Sequence, residues 1–241
     1  MIAQRARMQM ILGADALNKI RNARVAVFGA GGVGGNAIEA LARAGVGRID
    51  VIDNDVIRLT NLNRQLLAVH STVGMLKTDA AEQRIHDIDP DIEVRKFNVF
   101  YLPEEKHLFD FTEYDYIIDA IDTVTAKLDI IEEAQRCGTP VISCMGTGNR
   151  LDPLKLTVTD LYSTKNDALA RIMRRECRKR GIRKLKVVYS TETAMKPEGA
   201  DDLLEEEDRQ RRSVPGSSPF VPCAAGIAAA SAVIRDILEK K

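Results

Sequence analysis

The chain has 241 residues, and its 35 Lys and Arg balance its 35 Asp and Glu, so the formal net charge is zero. This length allows one large domain with a substantial core, and the neutral charge excludes a histone-like polycation, so any nucleic-acid site must be a local patch. Hydrophobic residues make up 45% of the chain, which excludes global disorder. The absence of Trp argues against base stacking as the main way of binding single-stranded nucleic acid.

The predicted strands and helices alternate along the first part of the chain. Runs typical of strands occur at 24–29, 48–53, 92–97, 114–122 and 140–146, and helical patterns occur at 31–47, 77–88 and 125–137. Parallel strands need crossover connections, which helices between the strands supply. The pattern predicts an α/β fold with a doubly wound, mostly parallel, Rossmann-like sheet. Two later strand-like runs, 154–161 and 185–191, flank a basic helix and are expected to extend the sheet in antiparallel orientation.

The cysteine spacing argues against a zinc ribbon, a redox pair and a disulfide framework. The four cysteines, Cys137, Cys144, Cys177 and Cys223, form no CxxC pair. We therefore expect a reducing, cytoplasmic compartment. The N-terminal residues lack the features of a signal peptide. The longest weakly polar run, 220–234, is shorter than the ~20 residues of a membrane-spanning helix, so we expect a buried C-terminal helix and no membrane association.

A glycine-rich turn follows the first predicted strand and opens a helix. Its glycines, Gly29, Gly31, Gly32 and Gly34, allow a tight turn and a close approach to a phosphate, and the helix N-terminus supplies free N–H groups. Asp53 ends the second predicted strand, where a carboxylate accepts hydrogen bonds from ribose hydroxyls. Together these features favour a nucleotide site over a tight turn that binds nothing.

Charged residues in the next loops favour ATP over a dinucleotide. Arg64 and Lys77 follow the second strand and suit a polyphosphate, whose charge they would neutralise. Asp122 follows the fourth strand, where a carboxylate could hold Mg²⁺ between phosphate oxygens. Taken singly, Arg64 and Lys77 are more typical of solvated surface charge. Their shared position around one strand-end crevice favours a single site.

The order of the motifs GAGGVGG, DxD, TNLNRQ, VGMLKTDAA and DAIDTVTAK resembles the ubiquitin-activating-like superfamily, the adenylating fold of ThiF and MoeB. The resemblance implies that ATP and Mg²⁺ are used to adenylate a carboxylate, with release of pyrophosphate. By that resemblance the ATP-binding residues are Gly29, Gly31, Gly32, Gly34, Asp53, Asn61, Asn63, Gln65 and Thr123. The implied catalytic residues are Arg64, Lys77, Asp122 and Arg7, and Asp122 is also the implied Mg²⁺ ligand.

Arg7 matches the N-terminal arginine that members of this superfamily insert into the partner subunit's ATP site. The resemblance therefore implies a homodimer. A solvated charge on a terminal helix is the alternative for Arg7.

The second half resembles the tRNA threonylcarbamoyladenosine dehydratase branch, in residues 146–182, 185–192 and 220–230. That branch activates the threonine carboxylate of threonylcarbamoyladenosine, beside the tRNA anticodon, and closes it into a ring with net loss of water. The paired CxxC motifs usual in the sulfur-carrier-activating relatives are absent from this chain. The resemblance implies a single ThiF-like adenylation domain over 1–241. Its expected parts are an N-terminal helical arm at 1–23, a nucleotide-binding core at 24–150, substrate-side strands with the basic helix at 151–193, a mobile loop at 194–218 and a C-terminal helix at 219–241.

A basic segment supplies the local patch that a tRNA substrate requires. At helical spacing, Arg171, Arg174, Arg175 and Arg178 share one face, which suits phosphates and predicts tRNA binding. A solvated helix face is the alternative. Cys223 precedes the last helix. A helix N-terminus lowers the pKa of a thiol and could make it nucleophilic, but a small buried hydrophobic residue is the favoured interpretation there.

Three other functions stay open at this point. One is adenylation of the C-terminus of a ubiquitin-like sulfur-carrier protein, with accessory proteins of the sulfur-transfer type as partners. Another is a non-catalytic nucleotide-binding partner protein. The third is an NAD-dependent dehydrogenase, because NAD and ATP share an adenosine and the glycine motif alone does not distinguish them.

Overall fold

The computed structural model describes residues 3–197 and 215–239, which form a single seven-stranded sheet with helices on both faces. The strands are β1 (Arg24–Phe28), β2 (Arg48–Ile52), β3 (Glu93–Phe97), β4 (Tyr116–Asp119), β5 (Val141–Cys144), β6 (Leu156–Asp160) and β7 (Lys186–Ser190). The α-helices are α1 (Ala6–Leu12), α2 (Ala14–Asn22), α3 (Gly34–Ala44), α4 (Lys77–Ile88), α5 (Val124–Cys137), α6 (Ala168–Lys179) and α7 (Phe220–Glu239).

The strand order is β3-β2-β1-β4-β5-β7-β6. The prediction of a doubly wound, mostly parallel sheet is confirmed, since β1, β2, β3, β4, β5 and β7 run parallel. The antiparallel pairing expected at the C-terminal end is that of β6 with β7, at the edge of the sheet. Strand β7 itself continues the parallel part beside β5. After β5 the chain forms the edge strand β6 first, and β7 then lies between β5 and β6.

The core lies on both faces of the sheet, because successive strand side chains point to opposite sides. Val25 and Val27 of β1 belong to the cluster that α3 and α7 cover. Ala26 and Phe28 belong to a second cluster, which is rich in aromatic residues and includes Ile130 of α5. All five residues of β1 are buried, as expected for a central parallel strand covered on both faces.

The C-terminal helix α7 packs against α3 and the sheet at very short range. A Cβ on Gly226 would lie 2.2 Å from the Val33 carbonyl oxygen, so only glycine permits this approach. By length and composition alone α7 is long and apolar enough to cross a membrane, and 56% of its most apolar window is buried within the fold. Its packing is that of a core helix.

The chain leaves β1 toward β2 on one side and continues from β4 toward β5 on the other. The carboxyl ends of β1 and β4 therefore border the crevice where open α/β sheets bind ligands. The predicted mobile loop at 194–218 lies mostly outside the described residues. Its described ends, 194–197 and 215–218, are both held by the Asn149 backbone, whose carbonyl accepts the Met195 N–H at 2.8 Å and whose N–H donates to the Gly216 carbonyl at 2.7 Å.

Candidate nucleotide-binding site

The glycine turn between β1 and α3 has the tight backbone conformation that its glycines predict. Gly29 has a φ of 91°, and its N–H donates to the Ile52 carbonyl at 2.7 Å. A Cβ on Gly34 would lie 1.7 Å from the Gly29 carbonyl oxygen, so the turn closes only with glycine there. A Cβ on Gly31 would have no neighbour within 4 Å among the described residues. The turn is thus tight on its inner side and open at Gly31, where a ligand can approach the backbone.

The loop after β2 and the start of α7 cover one side of this turn. A Cβ on Gly32 would lie 3.2 Å from Pro222 Cβ and 3.4 Å from the Arg64 carbonyl oxygen. The Arg64 guanidinium donates to the Thr60 carbonyl at 2.8 Å and to Asn63 Oδ1 at 2.9 Å. Its stem packs within 3.6 Å of the same Gly32 Cβ position, so Arg64 adjoins the turn. The contribution of α7 was missed from the sequence, because Pro222 is distant from the turn along the chain.

Asp53 is fixed against the glycine turn by its own carboxylate. Oδ2 accepts the Ala30 N–H at 2.7 Å, and Oδ1 accepts the Asp55 N–H at 2.8 Å. Each carboxylate oxygen has further acceptor capacity, so ribose hydroxyls can still donate to it.

Lys77 lies beside Asp53 and is buried, with 5% of its surface exposed. Its Nζ is 2.6 Å from Asp55 Oδ2 and 3.6 Å from Asp53 Oδ1. The alternative that Lys77 is a solvated surface charge is therefore wrong. A buried ammonium held by two carboxylates is a preorganised cation, which is the group a transferring phosphate requires.

The three amide side chains of the TNLNRQ motif have different environments. Asn61 Oδ1 accepts the Arg58 N–H at 3.1 Å and so shapes the loop. Asn63 Nδ2 donates to the Ser217 carbonyl at 2.9 Å, next to the start of α7. Gln65 is 9% exposed, and its Oε1 has no hydrogen-bond partner in the described part of the chain. Since buried polar atoms are normally paired, this oxygen is available to a ligand or water donor.

The loop between β4 and α5 lies directly against the glycine turn. A Cβ on Gly29 would be 2.9 Å from the Ala120 carbonyl oxygen. Two residues later, Asp122 is exposed, and Thr123 Oγ1 is 3.5 Å from its Oδ1. Within 3–197 and 215–239, no group of three or more His, Cys, Asp and Glu could hold a metal. A single carboxylate still fits Mg²⁺, which in ATP-using enzymes is bound by one or two carboxylates together with substrate phosphates.

A fully buried ion pair beneath this loop was also missed from the sequence. Lys127 Nζ lies 2.9 Å from Asp119 Oδ2, and both side chains are 0% exposed. A lysine on a helix is normally exposed, so the sequence did not indicate that Lys127 is buried. The only available signal was its place as the last residue of DAIDTVTAK.

Cys223 lies in the first turn of α7, and its Sγ donates to the Arg64 carbonyl at 3.4 Å. The lowered pKa that a nucleophilic role for Cys223 would require is not found. Burial raises the pKa of the Cys223 thiol, and a hydrogen bond with Asn36 opposes this only in part. A thiol that stays protonated is a poor nucleophile, so the alternative of a packing residue fits better.

The four arginines of α6 lie together but apart from the glycine turn. Arg171, Arg174, Arg175 and Arg178 line one shallow groove with Ile172. Arg174 is half-buried, and its Nη1 donates to the Thr164 carbonyl at 3.0 Å. The Arg178 guanidinium lies 5.1 Å from the centre of the Tyr162 ring, while Arg171 and Arg175 are exposed.

Two acidic residues, Glu176 and Asp167, make ionic contacts along α6. Glu176 receives hydrogen bonds from Arg180, Arg175 and Lys179, which lower its pKa to about 2. At the other end, Asp167 caps the helix by accepting the Ala170 N–H at 2.7 Å. Asp167 also pairs with Arg150 at 3.0 Å, which joins the start of α6 to the loop after β5.

Arg7 is not brought to the glycine turn of its own chain. It is exposed on α1, a helix without a buried residue. The neighbouring Arg5 pairs with Asp89 after α4 and packs on Gly45 after α3. The α1 helix therefore lies at the end of α3 opposite the turn.

Comparison with known proteins places the chain in one family. The ThiF family model matches residues 3–238. A tRNA threonylcarbamoyladenosine dehydratase from Bacillus subtilis is 39% identical over 247 residues, covering 99% of this chain and 96% of that protein. A crystal structure of E. coli tRNA N6-threonylcarbamoyladenosine dehydratase in complex with ATP has a TM-score of 0.88 at 31% identity, covering 98% of this chain and 94% of that chain.

Similarity to a sulfur-transfer enzyme is confined to part of the chain. An adenylyltransferase and sulfurtransferase from Vanderwaltozyma polyspora is 39% identical over 150 residues, which is 61% of this chain and 34% of that protein. The family match extends over nearly all of the sequence, and the glycine turn, Asp53 and Lys77 adjoin one another in one crevice. The chain belongs to the ThiF family.

Proposed function

We propose that this protein is an ATP-dependent dehydratase that adenylates the carboxylate of threonylcarbamoyladenosine in tRNA and closes it into a ring with loss of water. The observation that carries the proposal is the buried Lys77 ammonium beside Asp53 at the glycine turn, 3.6 Å between Nζ and Oδ1. Dehydratase relatives that match almost the whole chain support the substrate, and the ATP complex of one of them supports the nucleotide.

The first step makes the carboxylate reactive. A carboxylate oxygen attacks the α-phosphorus of ATP, the bond to the pyrophosphate oxygen breaks, and an acyl-adenylate and pyrophosphate are formed. The open N–H groups of the glycine turn and the ammonium of Lys77 stabilise the phosphate charge, which is greatest in the transition state. Arg64, beside Gly32, adds a second positive charge, and Asp53 orients the ribose.

The second step is intramolecular. A nitrogen or oxygen of the carbamoyl group attacks the activated acyl carbon and loses its proton, and AMP leaves. Ring closure of this kind gains up to about 7–11 kcal/mol from proximity in ideal geometry, so the protein has only to hold the reacting groups and exclude water.

Asp122 is the residue that would hold Mg²⁺. A divalent cation there would neutralise phosphate charge, which is the ordinary role of Mg²⁺ in phosphoryl transfer. Thr123 and Gln65 complete the proposed nucleotide contacts, Gln65 through its unpartnered buried Oε1.

We place the tRNA on α6 and a second protomer at Arg7. The groove of Arg171, Arg174, Arg175 and Arg178 supplies positive charge, and the Arg150–Asp167 pair connects the start of α6 to the carboxyl edge of the sheet. Because α1 is remote from its own glycine turn, Arg7 would act on the partner's site. The proposed compartment is the cytoplasm, where the tRNA is found.

The test is mass spectrometry of nucleosides from tRNA carrying threonylcarbamoyladenosine, after incubation with the protein, ATP and Mg²⁺. A product lighter by one water is expected. Lys77→Ala should lower the rate at least about 100-fold, on the order of the loss from removing one preorganised transition-state donor. Lys106→Ala is the control, because Lys106 also pairs with a carboxylate, Glu133, but 42% of its side chain is exposed.

Two results would contradict the proposal. Unchanged nucleosides, with AMP formed only when a ubiquitin-like carrier is added, would favour the adenylyltransferase that the partial match to the Vanderwaltozyma protein suggests. ATP that is bound but never consumed under either condition would favour a nucleotide-binding partner protein.

A further inference from the structure

The buried Lys127–Asp119 pair joins four parts of the site. Asp119 ends β4, and Lys127 lies in the first turn of α5. Lys127 Nζ contacts both carboxylate oxygens of Asp119, at 2.9 and 3.0 Å, and donates to the Ile121 carbonyl at 2.9 Å. Ser143 of β5 donates its hydroxyl to Asp119 Oδ2 at 2.5 Å. The acceptors and donors of the pair are thus used within the protein.

Such a pair is a poor way to gain stability. Taking two charges out of water costs several kcal/mol per ion, and hydrophobic replacements of similar volume are often neutral or better. Leu128 and Ile131, its neighbours on α5, are buried hydrophobic residues, so an apolar residue at this position would suit the surroundings. The pair therefore calls for a reason other than the stability of the core.

The bond to Ile121 supplies that reason. The Ile121 carbonyl belongs to the peptide that links Ile121 to Asp122. The hydrogen bond from Lys127 therefore restrains the orientation of this peptide from the buried side of the loop. On the other side, the preceding Ala120 carbonyl lies 2.9 Å from the position of a Cβ on Gly29. The loop is held between the glycine turn and Lys127, and Asp122 follows it directly as an exposed residue.

We propose that Lys127 is a positioning residue, which acts through the Ile121–Asp122 peptide to aim the Asp122 carboxylate at the phosphate end of the nucleotide. The inference rests on the proposed function only in taking ATP as the nucleotide. Groups behind a metal ligand typically change metal affinity about 10- to 100-fold when they are removed.

The experiment is a double-mutant cycle read by calorimetry of ATP binding at increasing Mg²⁺ concentrations. It uses Lys127→Met made together with Asp119→Asn, so that no buried charge is left unpaired, then Asp122→Asn alone, and then all three substitutions combined. Lys127→Met below always includes Asp119→Asn. Arg136→Met in the natural protein is the control, because Arg136 is on the same helix with 70% of its side chain exposed.

Lys127→Met should raise the half-saturating Mg²⁺ concentration about tenfold or more, and AMP affinity without Mg²⁺ should change less than twofold. Once Asp122→Asn is present, adding Lys127→Met should have little further effect, because residues that act through one another are not additive. Hydrogen exchange at the amides of 121–123 should be faster in Lys127→Met without nucleotide. Additive effects on Mg²⁺ dependence, or unchanged exchange, would overturn the inference.

This readout is separate from that of the proposed function. If the tRNA product is not found but the cycle is non-additive, the reaction is wrong and the positioning role stands. If the product is found but the cycle is additive, the reaction stands and Lys127 serves only the core.

Discussion

Asp50 is an acidic residue that the fold holds in an unfavourable environment. It is 1% exposed in β2, and neither carboxylate oxygen has a hydrogen bond of good geometry among the described residues. Burial raises the pKa of Asp50, and the charge of Arg24, whose Nε is 3.6 Å from Oδ1, opposes the rise only in part, as does the Tyr114 hydroxyl. The folded protein therefore holds the Asp50 proton more tightly than the unfolded chain does.

The sign of the pH dependence follows from this raised pKa. The stability that protonated Asp50 confers is fully present below the unfolded pKa, about 3.9, and is lost as the pH rises through the folded pKa. We expect the free energy of unfolding of the natural protein, relative to Asp50→Asn, to decrease across that range. Arg24 keeps Glu93 at 2.5 Å and Glu113 at 2.8 Å, so the variant leaves no unpaired arginine.

Urea titrations of both proteins between pH 3.5 and 7, about the range in which a carboxyl with a raised pKa titrates, would measure this. Asp110→Asn is the control of opposite sign, because hydrogen bonds from Thr112 lower the pKa of the exposed Asp110. A difference for Asp50→Asn that increases with pH would show that its pKa is not raised.

At the scale of elements, the parts that depend on local sequence could be predicted. The α4 helix has the bounds 77–88 that its periodicity and the following Asp89-Pro90 indicate, and the glycine turn has its expected place between β1 and α3. These features depend on residues close together in the chain, where turn chemistry and periodicity determine the conformation.

The missed parts of the site depend on contacts between distant segments. Pro222 against Gly32 brings α7 to the glycine turn, and Ser143 reaches Asp119 from the neighbouring strand. Local patterns contain neither strand order nor the packing of distant helices, so neither contact could be derived from them. The position of β7 between β5 and β6 could not be derived for the same reason.

Two glycines near the start of α3 have different roles. Gly226 permits the close packing of α7 on α3, and Gly31 is the open position of the glycine turn. Gly226→Ala would place a Cβ 2.2 Å from the Val33 carbonyl oxygen, so the helices must separate. We expect it to lower the free energy of unfolding by about 1–3 kcal/mol, as overpacking commonly does. Gly31→Ala meets no described atom within 4 Å, and should leave stability unchanged but weaken ATP binding.

Thermal unfolding and ATP calorimetry on the two variants separate these effects. If Gly226→Ala were as stable as the natural protein, α7 would not be packed this closely. If Gly31→Ala bound ATP normally, the open side of the turn would not face the phosphates.

At the scale of the whole molecule, a neutral protein must bind tRNA through a charged region. Arg171→Glu with Arg175→Glu should weaken tRNA binding and reduce the slope of log affinity against log salt by roughly one for each phosphate that is no longer neutralised. Both residues are exposed, whereas Arg174 is tied to Thr164, so the fold should be preserved.

A charge-matched control separates the patch from net charge. Arg21→Glu with Arg235→Glu makes the same change elsewhere. It breaks the exposed Arg21–Asp91 pair, which contributes little to stability, and Arg235 is exposed and donates to the Ser231 carbonyl of its own helix. Filter binding at several salt concentrations measures all three proteins. Equal decreases in affinity for both pairs of substitutions would mean that α6 is not the tRNA surface.

The exposed surface of α1 is the last large feature that one protomer leaves without a partner in the described part of the chain. Met10 and Ile11 are 85% and 79% exposed, and Arg7 lies on the same short helix. The 11 residues of α3 separate α1 from the glycine turn by ~16 Å at 1.5 Å per residue. The proposal that Arg7 acts on ATP therefore requires the site of a second copy.

Subunit mixing tests this arrangement. Arg7→Ala and Lys77→Ala should each be inactive alone, because each removes one cation from every site. In a dimer formed from one of each, one site combines the intact Lys77 of the first chain with the intact Arg7 of the second. An equal mixture that exchanges subunits should then recover about a quarter of the natural activity, since about half of the dimers are mixed and each has one complete site. If Arg7 acted within its own chain, no site in the mixture would be complete and activity would not return, even though an affinity tag on one variant retained the other in mixed dimers.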